Sequence, residues 1–196
     1  MSVLRHVDAS SEERIAYLKH AAARRRTNGD DEAEPALDGE EPAADIALTA
    51  ERIAELEEAE EFLLTVTNAG FGKRSSAYDY RVTGRGGQGI ANITLGGRNG
   101  TAVAATFPVR PGDDVMLMTD AGRLIRVPAD QVRITGRSAM GVMLFRVNAE
   151  EHVTSVFPVI EDPAAEDPSE DGGPDGPVMG PGDDNGDPDA GNGSDV

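Results

Sequence analysis

The sequence predicts a mainly β fold of two four-stranded, propeller-type blades, with a short helical insertion before them and a disordered acidic tail after them. Three observations predict this arrangement: an internal repeat, a set of short apolar runs within each copy, and a division of charge along the chain. Two β-meanders in one small sandwich are the alternative that the same pattern allows.

An internal repeat occupies the middle of the chain. The stretch RVTGRGGQGIANI, which begins at Arg81, recurs as RITGRSAMGVMLF from Arg133, a spacing of 52 residues. When residues 67–90 are aligned with residues 119–142, ten positions are identical. Ordinary residue frequencies would give about one or two. The repeat therefore predicts a duplicated structural unit.

Four short apolar runs lie in each copy, with turn sequences such as Asn-Ala-Gly and Arg-Asn-Gly between them. The predicted strands of the first copy are Phe62–Val66, Tyr80–Val82, Ile90–Leu95 and Val103–Phe107. Those of the second copy are Val115–Thr119, Leu124–Val127, Val142–Val147 and Val153–Phe157. Four strands in about fifty residues is the size of a propeller blade. We therefore assign one blade to residues 62–109 and the final blade to residues 110–160.

Helical and acidic segments flank the blades. Ser10 and Glu13 form a predicted capping box at the start of one helix, and Thr49 is the predicted cap of a second. Between these helices, residues 28–44 are acidic and contain proline, which predicts a linker, so the whole insertion covers residues 8–61. Residues 161–196 carry twelve Asp or Glu and no Lys or Arg, which predicts a disordered tail.

Charge is divided between the blades and their flanks. The chain has a net charge of −18, yet residues 62–160 carry eleven basic and seven acidic residues. Arginines recur at matching positions of both copies, which predicts a basic stripe suited to the phosphates of a polyanion. Aromatic residues do not interleave with them, which favours duplex DNA over single strands. A solvated surface with incidental charge is the alternative. The predicted phosphate contacts are Lys73, Arg74, Arg81, Arg85, Arg126, Arg133 and Arg137.

The rest of the sequence shows few candidate catalytic, nucleotide-binding or metal-binding residues. The chain has no cysteine and no apolar run of about 18 residues, so we expect no disulfides, no membrane-spanning helix and a cytoplasmic location. GRGGQG lacks the Lys-Ser/Thr of a phosphate-binding loop and lies between predicted strands, so we interpret it as a turn. The three histidines have no metal-ligand spacing. From its own residues, the chain is predicted to have no catalytic site, metal or cofactor.

Two long stretches, FLLTVTNAGFGKRSSAYDYRVTGRGGQGIANI and RPGDDVMLMTDAGRLIRVPADQVRITGRSAMGV, resemble the C-terminal domain of the A subunit of DNA gyrase. With SVLRHVDASSEERIAYLK, the resemblance covers most of residues 1–160. It implies a multi-bladed β-pinwheel that wraps duplex DNA around a basic rim, in a type II topoisomerase that introduces negative supercoils. The implied partners are duplex DNA, the remainder of gyrase A, and gyrase B. The A subunit of topoisomerase IV is the next-best match.

The resemblance also implies features that this chain lacks. The family's catalytic tyrosine has no counterpart here, and the ATP and magnesium of the holoenzyme belong to other parts of it, so the chain alone is expected to be inactive. The family's wrapping motif, Gln-Arg-Arg-Gly-Gly-Lys-Gly, is replaced by TGRGGQG from Thr83 and TGRSAMG from Thr135. SVLRHV at residues 2–7 is similar to SVFPVI at residues 155–160. Residues 1–7 are therefore expected to close a preceding blade, in the last third of a pinwheel from a split or mis-started gene.

Open blade edges are expected to make the isolated chain self-associate, because unpaired strands pair with other chains. The acidic tail is expected to compete with DNA for the basic blades, and a purely solubilising tail is the alternative. A protein-interaction module, in which the helices and tail bind a partner and the blades are only scaffold, is the second interpretation of function. The third is a topoisomerase component that works alone.

Overall fold

The computed structural model describes residues 2–27, 46–82, 86–87 and 89–159 of the chain. Within these residues, helices α1 (Ser11–Thr27) and α2 (Ala50–Ala59) precede the repeats. The strands are β1 (Phe62–Thr67), β2 (Phe71–Ser76), β3 (Val103–Val109), β4 (Asp114–Thr119), β5 (Leu124–Pro128), β6 (Val142–Met143) and β7 (Val153–Val159). Single turns of 3₁₀ helix occur at Ala77–Asp79, Gly97–Asn99 and Ala129–Gln131. The predicted linker and acidic tail lie outside the described residues.

The backbone repeats as the sequence does. We call residues 62–109 the first repeat and residues 110–159 the second repeat. β1 pairs antiparallel with β2 and β3, and β4 pairs in the same way with β5 and β7. The register shifts at one corresponding place in each repeat, after Val66 in β1 and after Met118 in β4. A mainly β fold built from a duplicated blade is therefore confirmed.

The second repeat also supplies the outer edge of the first sheet. β6 pairs with β2, where Val142 lies opposite Gly72. Further along β2, the amide of Arg74 donates to the carbonyl oxygen of Arg133 at 2.9 Å, and the amide of Thr135 donates to the carbonyl oxygen of Arg74 at 2.8 Å. The strand order is β3-β1-β2-β6 in the first sheet and β5-β4-β7 in the second. The two repeats are thus joined by what we call strand exchange: the second repeat adds β6 to the first sheet.

This exchange changes the predicted strand plan. The stretches predicted as strands at Tyr80–Val82 and Ile90–Leu95 are not strands, and only the first two residues of Val142–Val147 are. The structure instead places β2 in the sequence FGKRSS, which has no apolar periodicity. All six of its residues are nonetheless buried, because the second repeat covers the edge of β2 and Asn92 contacts its Lys73 side chain.

One apolar core joins the two sheets. Leu64 and Val66 of β1 belong to the same cluster as Val115 and Leu117 of β4, and all four side chains are fully buried. Phe145, from the segment after β6, belongs to this cluster as well. Complete burial of an aliphatic or aromatic side chain contributes about 1.5–3 kcal/mol, so this core is a major part of what holds the repeats together.

The two predicted helices are confirmed, with the predicted caps. The amide of Glu13 donates to Ser10 Oγ at 3.2 Å, and the amide of Arg52 donates to Thr49 Oγ1 at 3.2 Å. Arg52 also connects the helices, since its Nε donates to Glu13 Oε1 at 2.9 Å. Residues 2–10 form neither helix nor strand, and their assignment as the closing strand of a preceding blade stays a prediction.

The helices pack on the first repeat through a second, smaller core. Tyr17 and Leu18 of α1, Leu56 of α2, and Tyr78 of the 3₁₀ turn after β2 form this core. The rings of Tyr17 and Tyr78 meet edge to face with centroids 5.4 Å apart, and the hydroxyl of Tyr78 donates to the carbonyl oxygen of Leu56 at 2.9 Å. The insertion is therefore attached to the first repeat at the end of β2.

Gly141, just before β6, offers a test of the exchanged edge. It has a φ of +81°, and a Cβ there would lie 2.6 Å from the carbonyl oxygen of Gly72. Gly122 has a similar φ of +78° but no atom within 4 Å of the corresponding position. Either substitution by Ala costs about 1–2 kcal/mol for the left-handed backbone. Only Gly141→Ala also forces β6 away from β2, at a further cost of about 1–3 kcal/mol.

In thermal unfolding followed by circular dichroism, Gly141→Ala is therefore expected to have a lower melting temperature than Gly122→Ala. Equal melting temperatures would show that the contact between Gly141 and β2 does not support the fold.

Candidate nucleic-acid interface

The seven predicted phosphate contacts differ in how accessible they are. Two are exposed, Arg81 and Arg126, and one is half-buried, Arg133. Three are buried, namely Lys73, Arg74 and Arg137. Arg85 lies outside the described residues. A phosphate can approach the exposed groups from solvent, whereas the buried groups make contacts within the fold. Phosphate contact itself stays a prediction for all seven.

Lys73 lies on β2 with none of its surface exposed. Its Nζ donates to the carbonyl oxygen of Asn92 at 2.8 Å and to that of Gly136 at 3.1 Å. It also donates to the carbonyl oxygen of Arg137. An ammonium group has three donors, so these three carbonyls satisfy it. Asn92 belongs to the first repeat and the other two residues to the second, so Lys73 connects the repeats.

Residues 136–140, which we call the 136–140 loop, are joined to the first repeat from both sides. The guanidinium of Arg137, 2% exposed, donates to the carbonyl oxygen of Ala91. On the outer side, Thr94 Oγ1 donates to the carbonyl oxygen of Ser138 at 2.8 Å. With the bonds from Lys73, these contacts fix the backbone of the loop relative to the first repeat.

Burial shifts the pKa of the ionisable groups beside this loop. Removal from water lowers the pKa of Lys73 to about 8, partly offset by the charge of Asp79. Burial raises the pKa of Asp79 to about 6, with Arg137 and Lys73 acting in the opposite direction. It also raises the pKa of Tyr80 to about 12. In each case the loss of water disfavours the charged form. Charged groups in this cluster therefore pay a desolvation free energy that buried apolar side chains would not.

Arg74 and Arg126 occupy equivalent positions of the repeat but make different contacts. Arg74 Nε donates to the carbonyl oxygen of Val132 at 2.7 Å, and its guanidinium lies 5.8 Å from the centre of the Phe62 ring. Arg126 Nε instead donates to Asp114 Oδ2 on its own sheet, at 2.6 Å. The difference arises because the second repeat lies beside β2, whereas β5 is the outer strand of its described sheet. Arg74 thus fastens the repeats, and Arg126 keeps its guanidinium half-exposed.

Arg81 and Arg133 are a second equivalent pair, next to the segments that form blade edges. Arg133 precedes Ile134, which bridges to β2. Arg81 precedes Val82, which is 80% exposed. The same sequence motif is therefore paired with a neighbouring strand at Arg133-Ile134 in the second repeat and is exposed at Arg81-Val82 in the first. Arg81 is therefore exposed, whereas Arg133 is half-buried beside the pairing with β2.

Two exposed arginines near the turns of the sheets are not among the predicted contacts. Arg98 is exposed in the 3₁₀ turn before β3, where Asn99 Nδ2 donates to the carbonyl oxygen of Met140 at 3.2 Å. Arg123, between β4 and β5, lies over the Phe145 ring with its guanidinium 4.5 Å from the ring centre. Neither position is basic in both copies, so a comparison of repeats passes over them. Arg98 could have been predicted to be exposed from its position in the polar hairpin tip GGRNGT.

The described part of the chain carries neither a metal-binding cluster nor a membrane-spanning helix. Over residues 2–27, 46–82, 86–87 and 89–159, no three Asp, Glu or His side chains converge on a position suited to a metal ion. Across the same ranges, no helix combines the length and apolar character needed to cross a membrane.

Proteins similar to this chain share its repeats. Residues 61–106 and 113–160 match the family described as the DNA gyrase C-terminal domain, β-propeller. The chain is 70% identical to the DNA gyrase A protein of Granulibacter bethesdensis over 177 residues, which is 87% of this chain and 19% of that protein. It is 44% identical to the DNA gyrase A protein of Rickettsia bellii over 171 residues, which is 87% of this chain and 18% of that protein.

The chain thus spans less than a fifth of the length of these two relatives. A solved structure of a DNA gyrase A C-terminal domain matches 52% of this chain and 34% of the solved chain, with 23% identity and a TM-score of 0.48. Because both repeats match the family and most of the chain is 70% identical to a gyrase A protein, residues 61–160 belong to the family of the DNA gyrase C-terminal β-propeller domain.

Proposed function

We propose that this chain is the part of gyrase A that binds and wraps duplex DNA, within a type II topoisomerase that introduces negative supercoils in the cytoplasm. The observation that carries the proposal is the match of both repeats to the DNA gyrase C-terminal family. Catalysis, with its ATP and magnesium, then belongs to the remainder of gyrase A and to gyrase B. This chain contributes DNA binding alone.

The blades offer a duplex exposed positive charge. Arg81 and Arg126 are exposed, and Arg133 is half-buried. Residues 62–160 carry more basic than acidic residues. Cationic side chains that neutralise phosphates release counterions, so binding of this kind weakens with salt and carries no base sequence information. We therefore assign phosphate contacts to these three arginines, and Arg85 stays a further candidate on its sequence alone.

The outer face of the second sheet supports a contact with a further blade. Leu64 and Val66 of the first sheet are buried in the core shared with the second repeat. Their equivalents on β4 are Met116 and Met118; Met118 is 38% exposed, and Leu124 opposite it is 57% exposed. Apolar patches of this kind mark protein contacts. We propose that the rest of gyrase A packs here, and that a second copy does so when the chain is alone.

A protein-interaction scaffold without DNA binding is the second candidate function, and the same apolar face favours it. In that case the exposed arginines would be a solvated surface, and the blades would serve only to hold a partner. A fragment of topoisomerase IV is less favoured, because the similar relatives are gyrase A proteins. Salt-dependent binding of duplex DNA separates the DNA-binding function from the scaffold.

Binding of short duplex DNA is predicted to be independent of base sequence and to fall steeply with salt. Each phosphate contact removed lowers the slope of log K against log salt concentration by about 0.9. The double variant Arg81→Ala/Arg133→Ala is therefore expected to lower that slope by roughly two, as measured by fluorescence anisotropy across a salt series.

The double variant Arg5→Ala/Arg110→Ala is the matched control, because it removes the same charge at one exposed position outside both repeats and at one exposed position with no basic equivalent in the first repeat. Its slope is expected to match that of the unaltered chain. An equal decrease in both variants would reject the assigned contacts, and absence of duplex binding by the unaltered chain would reject the function.

The isolated chain is predicted to associate in a concentration-dependent manner, which sedimentation velocity would measure. Met118→Lys/Leu124→Lys places charge on the apolar face and is expected to leave the chain monomeric, because an unpaired charge is costly to bury. Val3→Lys, at a position that is 79% exposed, is the control and is expected to associate normally. A chain that stays monomeric at all concentrations would contradict the proposed packing.

A further inference from the structure

A layer of hydrogen-bonded polar side chains lies within the first repeat. Asn92 is at its centre: its Nδ2 donates to Thr65 Oγ1 at 2.9 Å and to Thr106 Oγ1 at 3.4 Å. The hydroxyl of Tyr80 donates to Asn92 Oδ1, and Lys73 Nζ donates to the carbonyl oxygen of Asn92. Thr65 and Lys73 are fully buried. The layer therefore satisfies its polar groups largely within itself.

The second repeat has apolar residues at the equivalent positions. Thr65, Lys73, Tyr80, Asn92 and Thr106 correspond to Leu117, Ile125, Val132, Leu144 and Val156. These five residues form or contact the apolar core. The same backbone unit thus folds around an apolar layer, so the fold itself does not require the polar one. Because a buried charge can often be replaced by packed apolar residues without loss of stability, the polar layer points to a role other than stability.

The hydrogen bonds of Lys73 indicate what this role is. Two of its three hydrogen bonds go to carbonyl oxygens of Gly136 and Arg137, in the 136–140 loop. The loop follows Arg133 by three residues and presents exposed Ser138 to solvent. Thr94 binds the same loop from its outer side. The loop is therefore fixed through its backbone, and its outer surface stays accessible.

We propose that Lys73 is a positioning residue of the DNA-binding surface. Its buried ammonium fixes the 136–140 loop against the first repeat, so that a duplex crossing both repeats meets one rigid surface. The inference rests on the proposed function. A loop that is ordered before binding loses less conformational freedom when DNA binds, which strengthens the complex without any contact between Lys73 and DNA. The equivalent Ile125 has no donor, so this device is specific to the junction between the two repeats.

The test compares two variants of the full chain. Lys73→Met keeps an unbranched apolar stem as far as Cε but removes the charge and the donors, and it is expected to bind short duplex DNA about tenfold more weakly. Lys73→Gln removes the charge but retains two donors, and it is expected to bind within about threefold of the unaltered chain. Ile125→Met, the equivalent position of the second repeat, is the control and is expected to bind normally.

Amide hydrogen exchange of the DNA-free chain provides the second measurement. The amide of Ala139, which donates to the carbonyl oxygen of Gly136 at 3.1 Å within the loop, is expected to exchange about tenfold faster in Lys73→Met, while amides of β4 exchange as before, because a local opening raises exchange only where protection is lost. If Lys73→Met does not fold, the Thr94→Val variant is used to test the inference in its place. Thr94 is exposed, so the core is kept, and the variant is expected to bind duplex DNA about threefold more weakly with faster loop exchange.

Three outcomes would overturn the inference. Unchanged duplex affinity in Lys73→Met, or in Thr94→Val if that variant decides, would do so while leaving the proposed function intact. Equally weak binding by Lys73→Met and Lys73→Gln, each with a salt slope lowered by about 0.9, would make Lys73 a phosphate contact instead. Absence of duplex binding by the unaltered chain would reject the proposed function and this inference with it.

Discussion

The pairing of the second repeat with the outer edge of β2 is the interaction on which the rest of this structure depends. Without it, the amide and carbonyl of Arg74 would lose their partners at Arg133 and Thr135. A strand with the sequence FGKRSS has little apolar surface of its own to bury. The exchange supplies both the missing hydrogen bonds and the cover for its side chains. The first sheet is therefore completed by the second repeat and not by its own residues alone.

The same pairing gives equivalent arginines different roles. Arg74 has the second repeat beside it and donates to the carbonyl oxygen of Val132, whereas Arg126, on the outer strand of the described second sheet, pairs with Asp114 and stays half-exposed. Whether an arginine faces solvent depends on whether another repeat lies beside its strand, and not on its position within the repeat. The proposed DNA surface therefore consists of the basic residues that the exchange leaves outside, held in place by those that it buries.

The sequence was sufficient to predict the duplication, the mainly β fold and the helix caps, because these follow from repeat spacing and local pattern. It could not predict β2, since Lys73 and Arg74 are buried by contacts with residues more than fifty positions away. For the same reason it assigned Lys73, Arg74 and Arg137 to the surface, although all three are buried. Charge and repetition identify candidate phosphate contacts, but burial by a neighbouring blade depends on tertiary structure.

Strand exchange between the repeats can be tested most directly by amide hydrogen exchange of the unaltered chain. The amides of Arg74 and Thr135 bond across the repeats, as do those of Leu144 and Phe145, which both donate to the carbonyl oxygen of Gly70. These four amides are expected to be protected as strongly as the amides of β1, because they open only when the shared core opens. Exchange of these four amides at the rate of unprotected backbone, with β1 still protected, would contradict strand exchange between the repeats.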